Sequence, residues 1–148
     1  MGSARIEREI VIDAPPERVW AALTEAEHLG EWFGNDGAEV DLRPGGSVVL
    51  RWKEHGVYYS RIERVDPERF FSMRGAYLPD EEPRPGNSTL VEFTLAPEGD
   101  GTRLRVVESG FEDLELTEEQ RAQQLAGNIE GWQIELAELV EYARRLAA

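Results

Sequence analysis

The sequence predicts an α+β domain, in which a curved antiparallel sheet of seven strands wraps around a long C-terminal helix and two short helices follow the first strand. Three observations predict it. Residues 38–110 hold six runs rich in β-branched and aromatic residues, separated by turn chemistry. Those separators are mostly too short for helical crossovers, which favours antiparallel hairpins. Residues 118–147 carry one apolar stripe at helical spacing.

The first strand is read at 5–12, RIEREIVI, where Ile6, Ile10 and Ile12 share a face and charges mostly occupy the other. DAPPERVWAAL follows. Proline suits the first turn of a helix, and Val19, Trp20 and Leu23 cluster on one side. Thr24 and Glu27 have the spacing of a capping box, which predicts a second short helix from there to about Gly34. AEVDL, SVVLRWK, VYYSRIERV, RFFSMRG, TLVEFTL and RLRVVES are the six further strands; RPGG, EHG, DPE and PEGDG supply turns. One longer connection, AYLPDEEPRPGNS at 76–88, has three prolines and an acidic cluster and reads as an exposed loop or lid. Thr117 and Gln120 form another capping box, opening a helix from about 118 to 147. Along it Leu125, Ile129, Trp132, Leu136, Leu139, Ala143 and Leu146 recur at steps of four and three, while Glu130, Glu138, Glu141 and Arg145 lie elsewhere. A strongly curved sheet around a helix leaves space between them, so this layout predicts a cavity.

Composition narrows the function. At 148 residues, with 41% hydrophobic and 31% charged content, the chain reads as one globular domain. No apolar run approaches the roughly 18 residues of a membrane helix. The N-terminal MGSARIEREI lacks a secretory h-region and has Ile6 where a myristoylation signal needs Ser or Thr, so a cytoplasmic location is expected. Cysteine is absent, which removes disulfides, thiolate nucleophiles and Cys-based metal sites. A net charge of −14 argues against nucleic acid as a partner.

Order and spacing of several motifs then carry a resemblance. DAPPERVWAALTEAEHLGEWF at 13–33, RPGG at 43–46, RIERVDPER at 61–69, TLVEFTL with GTRLRVVESGF at 89–111, and EGW with the leucine repeat at 130–139 run nearly end to end. With these the chain resembles the START-like (SRPBCC) superfamily, in its AHSA-like branch related to the activator of a heat-shock chaperone ATPase. The resemblance implies the helix-grip fold, a mostly apolar pocket between helix and sheet, and no obligatory cofactor. Members range from lipid and polyketide binders to cyclases and chaperone-contacting domains, so the fold does not settle function.

Candidate site residues follow from the expected pocket. Trp132, beside the helix-disfavouring Gly131, either plugs the core or forms pocket wall, with Leu136 on the same face and Gly131 admitting a neighbouring backbone. On the strands Trp52, Tyr59, Arg61, Met73, Arg74, Tyr77, Glu92 and Glu108 are polar or bulky groups that can orient a ligand if they point inward. Arginine offers a planar fork for a carboxylate or phenolate. Alternatively Arg61 and Arg74 point outward to neighbouring carboxylates; alternation cannot decide, because a one-residue bulge inverts the face. Phe111, Trp32 and Phe33 are placed at the pocket mouth, as a partner anchor, or in the core. His28 is expected at the surface among Glu25, Glu27 and Glu31, and His55 in a hairpin turn; neither shows metal or triad spacing.

Three functions are open on this reading. The first is a binding module holding a hydrophobic small molecule in an internal cavity. The second is a cyclase or dehydratase acting on an aromatic or polyketide-like substrate, with Tyr59, Arg61, Glu92 or Glu108 as proton-transfer groups and no metal or nucleotide cofactor. The third is a co-chaperone-like domain with a protein partner. A monomer or a homodimer is expected.

Overall fold

The computed structural model describes residues 5–34 and 36–147; the motif reading of Met1–Ala4 lies outside them. Strand β1 (Ile6–Ile12) leads into helices α1 (Pro16–Thr24) and α2 (Ala26–Trp32). Six strands follow, β2 (Ala38–Val40), β3 (Ser47–Trp52), β4 (Gly56–Asp66), β5 (Phe70–Ala76), β6 (Ser88–Glu98) and β7 (Gly101–Ser109). Helix α3 (Glu118–Ala147) closes the chain. The strands form one antiparallel, curved sheet in the order β1-β7-β6-β5-β4-β3-β2. It is a meander from β2 to β7 with β1 laid beside β7, the helix-grip architecture expected from the sequence.

One face of each strand packs under the helices. Val48, Leu50, Ile62, Phe71, Met73, Val91, Phe93, Leu95, Leu104 and Val106 are buried there. From the helices come Val19, Ala22, Leu23, Leu29, Trp132, Leu136, Leu139 and Ala143, all in the same cluster. The α3 stripe is therefore core over its central and C-terminal turns, where α3 packs on α1, α2 and β1.

Local signals account for most element ends. The box before α3 forms as read: the Thr117 amide donates to Gln120 Oε1 at 3.0 Å and the Gln120 amide to Thr117 Oγ1 at 3.1 Å. The box read at Thr24 does not form. Thr24 is the last residue of α1, and its hydroxyl donates back to the Trp20 carbonyl at 2.7 Å. Helix α2 starts one residue later than that box requires, with Glu25 at its N-cap. In α1 an orphan carbonyl near the C-terminus is met from α2, where the Trp32 indole N–H donates to Ala22 O at 2.6 Å. Gly34 then lets the chain run against β3, since a Cβ there would lie 2.9 Å from the Arg51 carbonyl oxygen.

The 76–88 connection is exposed at Leu78, Asp80, Glu82, Arg84 and Pro85, but it is tied down rather than free. Asn87, buried, accepts from the Arg84 amide and donates to Glu81 Oε1 and the Glu82 carbonyl. Ser88 Oγ donates to Arg84 O, and the Asp80 amide to Val57 O.

Removing the α3 cap tests how far this helix depends on its first turn. Thr117→Ala should lower stability by about 1 kcal/mol in urea unfolding; no change would mean that packing alone fixes the start of α3.

Candidate functional site

Between α3 and the concave face of the sheet lies a cavity of about 490 Å³, within the roughly 300–1,000 Å³ usual for small-molecule sites. Register places its walls. Leu50 faces Tyr58, Ser60 faces Gly75, and Met73 and Glu108 flank Val91 across neighbouring strands, so their side chains share the inner face. The helix contributes Gln124, Gly127, Asn128, Gly131, Trp132 and Glu135, at helical spacing. A Cβ built on Gly127 or Gly131 meets nothing within 4 Å. No backbone approaches Gly131, contrary to the expectation for the Gly–Trp pair; the two glycines instead leave a hollow on the roof of the cavity.

Trp132 belongs to both core and wall. It is 6% exposed, lines the cavity, and contacts Phe33 and Phe93 at ring distances of 5.8 and 5.9 Å. Phe33 in turn meets the edge of Trp52, and Trp52 meets Tyr58, at 5.5 and 5.4 Å. Aromatic faces and edges thus run continuously from the core to the mouth, where His55 and Gly127 are exposed.

Glu108 supplies the buried polar group. On β7, 5% exposed, its carboxylate accepts from Thr89 Oγ1 at 2.6 Å, from Trp132 Nε1 at 2.9 Å, and from Asn128 Nδ2 at 3.1 Å to both oxygens. All three donors are neutral. A carboxylate out of water needs such donors or a counter-charge, and among the described residues no lysine or arginine lines the cavity.

Glu135 differs. It lines the same cavity, is half-buried, and makes no hydrogen bond or ion pair among the described residues. Burial, and secondarily the charge of Glu138, push its carboxyl up to about 7. Across the cavity, burial and then Asp80 raise the Tyr58 hydroxyl above its ordinary value.

The residues singled out from sequence separate into three groups. Trp52, Met73, Tyr77 and Trp132, with Glu108, line the cavity. Trp32, Phe111 and Leu136 are buried in the core and do not line it; Trp32 stacks on Phe33 instead of standing exposed as an anchor. Tyr59, Arg61, Arg74 and Glu92 lie on the outer face, opposite Val49, Ser47, Leu90 and Ser72 respectively. Arg74 reaches Glu63 there at 3.4 Å. Arg74 and Glu92 face outward by plain alternation beside inward-facing Met73, Val91 and Phe93. For Tyr59 and Arg61 the physical reason is a β-bulge between Ile62 and Arg64, which reverses the alternation within β4. Counted back from inward-facing Val65, Tyr59 and Arg61 have inward parity; the bulge turns them out. Sequence reasoning did not single out Tyr58, Thr89, Asn128 and Glu135. A second helical stripe, 124-127-128-131-135, with two glycines beside Trp132, was the available signal.

His28 is also more engaged than expected at the surface. Its Nδ1 lies 2.5 Å from the Tyr142 hydroxyl, joining α2 to α3. Among the described residues Glu25, Glu27 and His28 alone bring three possible metal-ligand atoms within 4.8 Å, and both carboxylates are exposed.

Comparison with known proteins bears on this geometry. The family model described as activator of Hsp90 ATPase homolog 1-like protein matches residues 13–144. The chain belongs to this family. Among solved structures of similar fold, protein MLL2253 from Mesorhizobium loti is 25% identical, with 96% of this chain and 98% of that one covered and a TM-score of 0.78. CalU16 from Micromonospora echinospora is 26% identical over 95% and 76% of the two chains, with a TM-score of 0.71. The Aha1 dimer from Colwellia psychrerythraea, solved in solution, is 22% identical over 93% and 94%, with a TM-score of 0.74. Among curated proteins none matches. No described helix is long and apolar enough to cross a membrane.

Two outcomes follow from the carboxylates. Glu108→Gln turns an amide N–H toward donors, so stability should fall by about 1–3 kcal/mol in urea unfolding at pH 7; an unchanged midpoint would show that the three donors do not depend on the carboxylate. Glu135, protonated more readily folded than unfolded, adds stability that is fully present below about pH 4.5, its ordinary value, and lost as pH rises through about 7. Thermal melts should show this decline, and Glu135→Gln should flatten it.

Proposed function

We propose that this protein binds a small, largely apolar molecule in the cavity under α3. The observation that carries the reading is the pair Gly127 and Gly131, which face the cavity with open space where side chains would stand. Each glycine costs a helix interior about 1 kcal/mol relative to alanine. Filling the hollow with side chains would gain both helix propensity and apolar burial, so a chain under selection for stability alone would fill it. Walls of Leu50, Trp52, Met73, Val91 and Trp132 favour an apolar or aromatic body, and Ser60, Thr89 and Gln124 offer a few polar contacts for orientation.

A proton-transfer role has one specific observation in its favour. Glu135 faces the cavity with no hydrogen-bond or ion-pair partner among the described residues, and burial pushes its carboxyl up to about 7, which suits a general acid or base. Of the four groups first considered for that role, three stand on the outer face and Glu108 has its lone pairs occupied. Binding requires none of this, and it is the reading adopted. The partner-domain alternative draws no support from Trp32, which is buried.

The test is a neutral solvatochromic dye, Nile red, with Gly131→Leu as the blocking variant. Leucine is the better helix former and its Cβ has open space around it, so the variant should melt no lower than the parent. The parent should enhance and blue-shift dye emission, and Gly131→Leu should weaken binding at least about tenfold, equivalent to 1.4 kcal/mol. Equal dye binding by parent and variant, or none by either, would overturn the reading.

A further inference from the structure

The cavity is chemically one-sided, and this deepens the binding reading on which the inference rests. Among the described residues its ionisable lining consists of two carboxylates, Glu108 and Glu135, with Tyr58, Tyr77 and His55, and includes no lysine and no arginine. Glu108 is 5% exposed and held only by neutral donors, so its charge has no counter-ion in the cavity wall. Trp52, Trp132 and Tyr58 line the same space with the ring types that attract cations best.

We infer that the cavity selects a cationic amine borne on an aromatic or branched aliphatic body, with the ammonium directed to the carboxylate side and the apolar body against the tryptophans. An ammonium offsets the buried charge and donates to Glu135, which has no hydrogen-bond or ion-pair partner among the described residues. A carboxylate ligand would instead face two like charges with no arginine to receive it. The arginines first considered for an acidic ligand, Arg61 and Arg74, lie on the other face of the sheet.

Titration sharpens the expectation. The groups around Glu135 are Glu138 on its own helix, His55 in the β3–β4 turn, Tyr58 on β4, Tyr77 beyond β5, and Glu108 on β7. As pH falls through about 7, Glu135 gains a proton and the attraction for an ammonium weakens. Amine binding should therefore strengthen from pH 5.5 to pH 8.

The experiment is calorimetric titration of three probes of one shape, 1-naphthylmethylamine, 1-naphthylmethanol and 1-naphthoate, at pH 5.5 and 8 and two salt concentrations. The inference expects the amine to bind at least about tenfold tighter than the alcohol at pH 8, and the carboxylate weakest. Glu135→Gln should reduce the amine's advantage over the alcohol and remove most of its pH dependence. Gly131→Leu should abolish amine binding, which separates the cavity from the acidic exterior. Alcohol or carboxylate binding as tightly as the amine would overturn the amine selectivity and leave the cavity reading standing. Amine binding that survives Gly131→Leu and vanishes with salt would be surface attraction, and would overturn it equally. Absence of binding by all three probes would overturn both readings together.

Discussion

The buried carboxylate of Glu108 is the constraint around which the rest is arranged. A charge buried between a helix and a sheet must be solvated by the protein, and here β6 and α3 provide the donors through Thr89, Asn128 and Trp132. Asn128 and Trp132 are one helical turn apart, so satisfying both fixes the rotation of α3 and its position along the sheet. Once that is fixed, the helix divides at Trp132. Beyond it, Leu136, Leu139 and Ala143 are buried against α1 and the sheet. Before it, Gln124, Gly127 and Gly131 roof an open space. One interaction thus sets the solid half of the core and the hollow half at once.

The aromatic chain serves the same division. Trp132 meets Phe93, which stacks on Phe71 at 5.7 Å, and Phe71 meets the edge of Trp20 on α1. Toward the mouth it meets Phe33, then Trp52 and Tyr58. Rigid rings on both sides let a hollow persist where flexible aliphatic side chains would collapse into it, because interiors otherwise pack closely.

Much of the fold was legible in the sequence because its signals are local and periodic. Alternation along Ile6–Ile12, the four-three spacing from Leu125 to Leu146, and the Thr117–Gln120 box each depend on neighbours within a few residues. The site was less legible because it depends on parity over a long strand. Alternation is reliable only where no residue is inserted, and the bulge at Glu63 breaks it midway along β4, so groups on either side of it cannot be assigned from one another. Thr24 failed for a related reason: its hydroxyl could accept from the Glu27 amide as a cap or donate back to the Trp20 carbonyl, and the end of α1 took it. Asn128 and Glu135 do not stand out in the sequence, because a helix face lined by two glycines looks like a weak helix until the opposing sheet is in place.

The glycine pair also bears on how this protein can change. Residues on β3 to β7 serve the hollow and the core together, so altering them disturbs both. A Cβ at Gly127 or Gly131 meets nothing within 4 Å, so a small side chain there subtracts volume while improving the helix. The capacity of the chamber is therefore written in two codons that can mutate without endangering the fold. Such an arrangement lets descendants of one sequence resize the chamber stepwise, each intermediate remaining as stable as its parent.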